Sequence, residues 1–171
     1  MALHLAEIKC EIREIRLSNK PDHMLEVSPK GTVPILFLED KVIDESYDIV
    51  NWVIEESNIF DGNLDSDQID LTESLIKKFD DEFKHHLDRY KYATRYENTD
   101  SDFHRAECLK ILVDLEATAS NDKWIFGENL NKLDISILPF IRQFRIANPE
   151  WFDSLEAVSY THLRAHETRS D

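Results

Sequence analysis

The hydrophobic period of this chain changes once, and that change limits the fold more than any other feature. In the first third, apolar residues alternate with charged ones or form short blocks broken by Pro and Gly, as strands and tight turns require. Beyond residue 69, apolar residues recur every three or four positions and no strand pattern returns. Strands followed only by helices predict two packed units rather than one uniform sheet.

The first part resolves further. Ala2-Leu3-His4-Leu5-Ala6-Glu7 reads as the back half of a helix, without an N-cap or first turn before it. Cys10 to Leu17 alternates apolar and charged residues and predicts a strand with one buried face. Asn19-Lys20-Pro21 breaks it, and a short helical turn through Met24-Leu25 stops before Ser28-Pro29-Lys30-Gly31. Val33 to Leu38 predicts a buried strand. Glu39-Asp40 turns the chain, and Lys41-Val42-Ile43 returns antiparallel. Ser46 is placed as the N-cap of a helix bearing Ile49, Val50, Trp52, Val53 and Ile54.

Residues 58–67 are polar and aperiodic and predict a linker. Helices are then expected over Ile69–Tyr96, Phe103–Thr118 and Leu133–Ala147, the last with Asn131 and Asp134 as a variant capping box. The domain division expected is therefore 1–57, linker 58–67, an all-helical domain 68–157, and a tail 158–171. The tail, which includes Ser159-Tyr160-Thr161-His162-Leu163-Arg164, has no period and resembles translated sequencing-adapter read-through, the alternative being a disordered native tail.

A net charge of −15, from 20 basic and 35 acidic residues, argues against nucleic acid and anionic membrane as partners, since both require a basic face. No apolar run approaches the roughly 20 residues that span a bilayer. Two cysteines, Cys10 and Cys108, make no disulfide framework, which suits a reducing cytoplasm.

Two segments carry candidate chemistry. In Ser28-Pro29-Lys30-Gly31-Thr32-Val33-Pro34 a proline enters a strand although it cannot donate a ladder bond. A cis Val33–Pro34 bond would turn the Val33 N–H and C=O outward, towards an extended peptide-like ligand. In Asp44-Glu45-Ser46 a helix N-terminus offers free N–H groups and a positive dipole end to a carboxylate. There the Ser46 hydroxyl can donate to that carboxylate and the Glu45 carboxylate can pair with an ammonium, a receptor for an amino-acid head group.

With these motifs the chain resembles the cytosolic glutathione transferases, from early in their glutathione-binding domain to near the last helix. The resemblance implies an α/β thioredoxin-like N-terminal domain, here lacking its first strand, followed by an all-α helical-bundle C-terminal domain. It implies that Val33 pairs through its backbone with the cysteinyl part of glutathione, with Pro34 cis, and that Glu45 and Ser46 hold the γ-glutamyl end. Lys20-Pro21 matches an omega-like Lys-Pro whose lysine contacts the glycyl carboxylate. Asn131 to Asp134 resembles the family's capping motif, with a folding role. The resemblance further implies glutathione as substrate, a small electrophile or disulfide as co-substrate, a homodimer, and a cytoplasmic enzyme without a metal.

The family's catalytic Tyr, Ser or Cys lies at the end of the first strand or the start of the first helix, and is expected upstream of Met1. Which of the three it is stays open, and with it conjugation against thiol transfer, although Lys20-Pro21 points to cysteine and thiol transfer. Without a first strand, Cys10–Leu17 would lack ladder partners, and the chain as written is expected to fold poorly and catalyse little. The alternative is a non-enzymatic binding module of the same fold, as in bacterial stress-response factors; retention on a glutathione column separates the two.

Other residues give weaker signals. Cys10 and Cys108 are expected to be buried structural thiols, with no neighbouring base to activate them. His85 and His86 are adjacent, without the i, i+4 spacing of a paired metal site, and His104 adds no defined spacing, so no metal is expected. The run Arg89 to Tyr96 is read either as lining an electrophile pocket or as amphipathic side chains along a helix end.

Overall fold

A computed structural model describes residues 1–60, 63–120 and 123–155. The expected tail, 158–171, lies outside the described residues. The chain divides into two compact units, Met1–Asp61 and Gly62–Asp171.

The first unit contains α1 (Ala2–Leu5), α2 (Asp22–Val27), β1 (Leu36–Phe37), β2 (Val42–Ile43) and α3 (Ser46–Ser57). The expected hairpin is present but short. Leu36 faces Ile43 and Phe37 faces Val42 in antiparallel register, and the Leu38 N–H donates to the Lys41 carbonyl at 2.9 Å to close the turn. Helix α3 buries Ile49 and Val53, spaced one turn apart, and α1 packs against this helix. It ends at Asn58, whose left-handed φ of 52° is one that Asn tolerates better than most residues.

The strand expected over Cys10–Leu17 is not there. The segment has only an isolated bridge, between Arg16 and Asn19, and Ile12 is 81% exposed. Alternation marks a strand only when a neighbour accepts its ladder bonds, and among the described residues no strand does so. The backbone here stands open to water, so the burial of unpaired groups foreseen from the sequence does not arise.

The second unit is helical: α4 (Ser66–Lys78), a π-helical turn (Phe79–Phe83), α5 (Lys84–Lys91), a 3₁₀ turn (Ala93–Arg95), α6 (Ser101–Thr118), α7 (Lys132–Ala147) and α8 (Pro149–Asp153). Helix α4 starts inside the expected linker, because Asp65 and Gln68 form a reciprocal capping box at 2.8 and 3.1 Å. Asp100 caps α6 by accepting from the Asp102 and Phe103 N–H groups. Helix α8 was not anticipated, although Asn148 before Pro149 is a good start signal, and its side chain accepts from the Trp151 N–H at 3.1 Å.

An aromatic cluster fills this unit. Phe79 and Phe83 stack at 4.7 Å across the π turn, and Phe83 meets Phe144 edge-on at 5.7 Å. Phe144 also touches Tyr90, Trp151 and Phe152, which ties α5, α7 and α8 together. At the start of α7 the expected capping box forms and is fully buried. Asn131 accepts from the Leu133 N–H at 2.8 Å; Asp134 accepts from the Asn131 N–H at 2.9 Å and, beyond the box, from the Ile125 N–H at 3.1 Å. Among the described residues, no helix is long and apolar enough to cross a membrane.

Candidate functional site

The site begins at the sharp turn after α2. Gly31 sits at φ +62°, and a Cβ there would lie 3.0 Å from Leu25 Cδ2 and 3.3 Å from Lys20 Nζ. Only glycine makes this turn without strain, and its missing side chain lets Lys20 fold over the backbone. The exposed Lys20 is thereby brought beside Gly31, 11 residues later in the chain.

Two residues that sequence reasoning passed over then tie this turn to the start of α3. Ser28 is buried, and its hydroxyl donates to Asp44 Oδ2 at 2.7 Å. Lys30 donates to Asp44 Oδ1 at 3.1 Å and to Glu45 Oε1 at 2.8 Å. The ammonium of Lys30 is raised above its ordinary range by Glu45 first and Asp44 second. Asp44 is held below the usual carboxylate range, chiefly by the Ser28 hydroxyl and then by Lys30. A Ser three residues before a Gly-Thr-Val-Pro element, or a Lys immediately before it, carries no sequence signal of its own. Its partner is 14 to 16 residues away, and only the fold makes the pairing.

Between these anchors the chain runs through the cis Val33–Pro34 bond. Val33 is 49% exposed, and neither its N–H nor its C=O has a hydrogen-bond partner among the described residues. Glu45 is the N-cap of α3 but makes no side-chain cap bond. Ser46 is the first helical residue, one position later than expected, and is exposed. The first-turn N–H groups of α3 therefore lack a side-chain cap, and the helix dipole adds partial positive charge there. A free backbone edge, a lysine and an uncapped helix N-terminus together can hold an extended, peptide-like anion.

Residues 1–59 match the family model described as glutathione S-transferase, N-terminal domain. A probable glutathione S-transferase of Nicotiana tabacum, parA, is 27% identical over 171 residues, covering 96% of this chain and 71% of the relative. Residues 1–59 are thus those of a glutathione S-transferase N-terminal domain, and nearly the whole chain is similar to that family. Solved transferases share its fold, a thioredoxin-like domain followed by a helical one. The glutathione transferase Omega 3C of Trametes versicolor superposes with a TM-score of 0.78 at 18% identity, over 99% of this chain and 78% of that one. A family member from Pseudomonas fluorescens, solved with two glutathione bound, gives a TM-score of 0.77 at 15% identity, over 99% and 82%.

Elsewhere the structure departs from what the sequence suggested. Cys10 is exposed rather than buried, as follows from the missing ladder around it. Cys108 is buried as expected, and burial pushes its thiol up to about 12, so it stays protonated. Side chains of the Arg89–Tyr96 run engage one another: Arg89 lies over the Tyr96 ring at 4.6 Å and Arg95 over Tyr92 at 4.1 Å. The spacing argument against a histidine cluster does not survive folding, because α6 brings His104 alongside His85 and His86 of α5.

Proposed function

We propose that this chain binds glutathione on its first unit and promotes attack by the glutathione thiolate on an electrophile or mixed disulfide. The observation that carries the reading is the unpartnered, exposed Val33 backbone, in a stretch held by Ser28 and Lys30 to the uncapped start of α3. Val33 takes the cysteinyl backbone of the ligand in a two-bond ladder. Ser46 and the first-turn N–H groups of α3 take the γ-glutamyl carboxylate, and Lys20 the glycyl carboxylate. Glu45 receives the ligand ammonium. That the Pseudomonas relative was solved with glutathione bound supports this choice of ligand.

Lys30 already occupies the Glu45 carboxylate. Both partners are more than half exposed, and an ion pair so open to water is held weakly. A ligand ammonium can displace it. The same pair also favours a second reading, a binding module that keeps the scaffold with Glu45 satisfied internally. In the transfer itself, the thiol proton passes to solvent, the sulfur bonds to the electrophilic atom and a leaving group departs.

Calorimetric titration of the folded chain with glutathione tests the binding. One ligand per chain is expected, with at least a tenfold loss in Ser46→Ala, which removes a donor to a charged group. A folded chain that gives no heat and passes unretained through glutathione resin would remove this reading and leave the binding module.

A further inference from the structure

We propose that His85, His86 and His104 form a binding site for a divalent late-transition-metal ion, of the Zn²⁺, Ni²⁺ or Cu²⁺ class, that links α5 to α6. One ligand atom from each lies within 4.8 Å of those of the other two. His86 and His104 already stand Nδ1 to Nδ1 at 2.8 Å. Metal–imidazole bonds are about 2.0–2.1 Å, so two nitrogens on one ion lie roughly 2.8 Å apart at a right angle and roughly 3.4 Å apart at a tetrahedral angle. The pair sits at the short end of that range before any ion arrives. His85 must close in by roughly 1.5 Å, a side-chain adjustment open to an exposed residue.

In the present arrangement one Nδ1 donates to the other, since two lone pairs at 2.8 Å would repel. An ion replaces that shared proton, which moves to Nε2 of its own ring, so both rings stay neutral and no proton is lost. Glu107 follows His104 by one turn on α6, and its negative charge reaches His86 and His104. It is bonded to Lys110 and offsets part of the charge of the ion. Asp100 acts on His104 in the same sense. Three imidazole donors with only these two carboxylates nearby still favour Zn²⁺, Cu²⁺ or Ni²⁺ over Ca²⁺ or Mg²⁺, which take oxygen.

Arg89 works against the ion. Its Nη1 lies 3.0 Å from Nδ1 of His85, and a guanidinium can only donate, so it occupies that lone pair and leaves the proton on Nε2. Its charge also disfavours a second cation. The ion must displace Arg89 from His85, which fixes an unusual expectation for a variant that removes a side chain.

The test is equilibrium dialysis of the full chain against Zn²⁺, in a background carrying His162→Ala and His166→Ala, because those two histidines stand i, i+4 in sequence. One Zn²⁺ per chain is expected. Binding should weaken at least tenfold in His86→Ala and in His104→Ala, with helix content by circular dichroism unchanged. Arg89→Ala should tighten it about threefold or more. No bound Zn²⁺, or binding indifferent to His86 and His104, overturns the site. Unchanged or weaker binding in Arg89→Ala overturns His85 as a ligand. Should the histidine variants unfold, pulsed electron resonance of the Cu²⁺-loaded background chain decides: coupling to two or more imidazole nitrogens is expected, and its absence overturns the proposal.

Discussion

The two units of this chain keep their shape by different means. The helical unit is organised around buried rings, with Phe79, Phe83 and Phe144 wholly removed from solvent. The first unit has a thin core of small or medium side chains, Ala2, Met24, Ile49 and Val53 with Phe60, and leaves Ile12, Leu17 and Phe37 in the open. What holds its candidate site is polar: Ser28 to Asp44, and Lys30 to Asp44 and Glu45. A site held by exposed ion pairs adjusts at little cost, whereas a ring cluster does not. The chain thus carries its candidate ligand-binding residues where the backbone is least constrained by burial.

Truncating one ring in each unit sharpens the contrast most. Phe144→Ala should cost about 3–5 kcal/mol in denaturant unfolding, because a fully buried ring leaves a cavity ringed by aromatic neighbours. Phe37→Ala, at 67% exposure, should change stability by less than about 0.5 kcal/mol. Equal effects would mean the first unit has a core that these contacts do not reveal.

The next effect is at the buried cap of α7. Asp134→Ala leaves the Ile125 and Asn131 N–H groups buried without an acceptor, at a cost of about 2–4 kcal/mol near pH 5. Burial pushes Asp134 up to about 6, against the pull of the Ile125 and Asn131 N–H groups and of its own. Since its ordinary value is 3.8, the folded state binds the proton more tightly than the unfolded one. Stability from this group is therefore full below about pH 4 and falls as pH rises through 6, by up to about 3 kcal/mol. The cost of Asp134→Ala should be smaller at pH 8 than at pH 5. A cost that grows with pH would show that the N–H groups, not burial, govern this carboxyl.

A smaller effect than that of the α7 cap belongs to the turn of the first unit. Gly31→Ala places a Cβ at positive φ and 3.0 Å from Leu25, at about 1–2 kcal/mol. It should also push Lys20 aside and weaken glutathione retention more than it weakens the fold. If binding is untouched, Lys20 has no part in the site.

Features set by neighbouring residues were legible in the sequence. The Asn131–Asp134 cap, the hairpin about Glu39-Asp40 and the short helix before Ser28 depend on residues within a few positions, and all formed. Cys10–Leu17 misled because alternation says how a strand would face but not whether a neighbour exists to pair with it. Lys20, Val33, Pro34, Glu45 and Ser46 were singled out from motif and resemblance. Ser28, Lys30 and Asp44 were not, because their bonds join segments 14 to 16 residues apart. His104 was dismissed for the same reason: its neighbours lie 18 or more residues away, and sequence spacing is blind to a second helix.

The reach of Asp134 has a consequence for the order of events during folding. Its carboxyl holds the N–H of Asn131, where α7 starts, and that of Ile125, nine residues ahead of it. Neither bond is worth much in an open chain, where water competes for both groups. Once the segment from Ile125 to Asn131 curls back, α7 has its cap, and once α7 turns, that segment has its anchor. Closing a stretch of about ten residues takes on the order of 10–100 ns, far less than the assembly of a ring cluster drawn from several helices. The loop and the first turn of α7 can therefore form as a single early event, supplying the surface on which Phe144 is later carried to Phe83 and Tyr90.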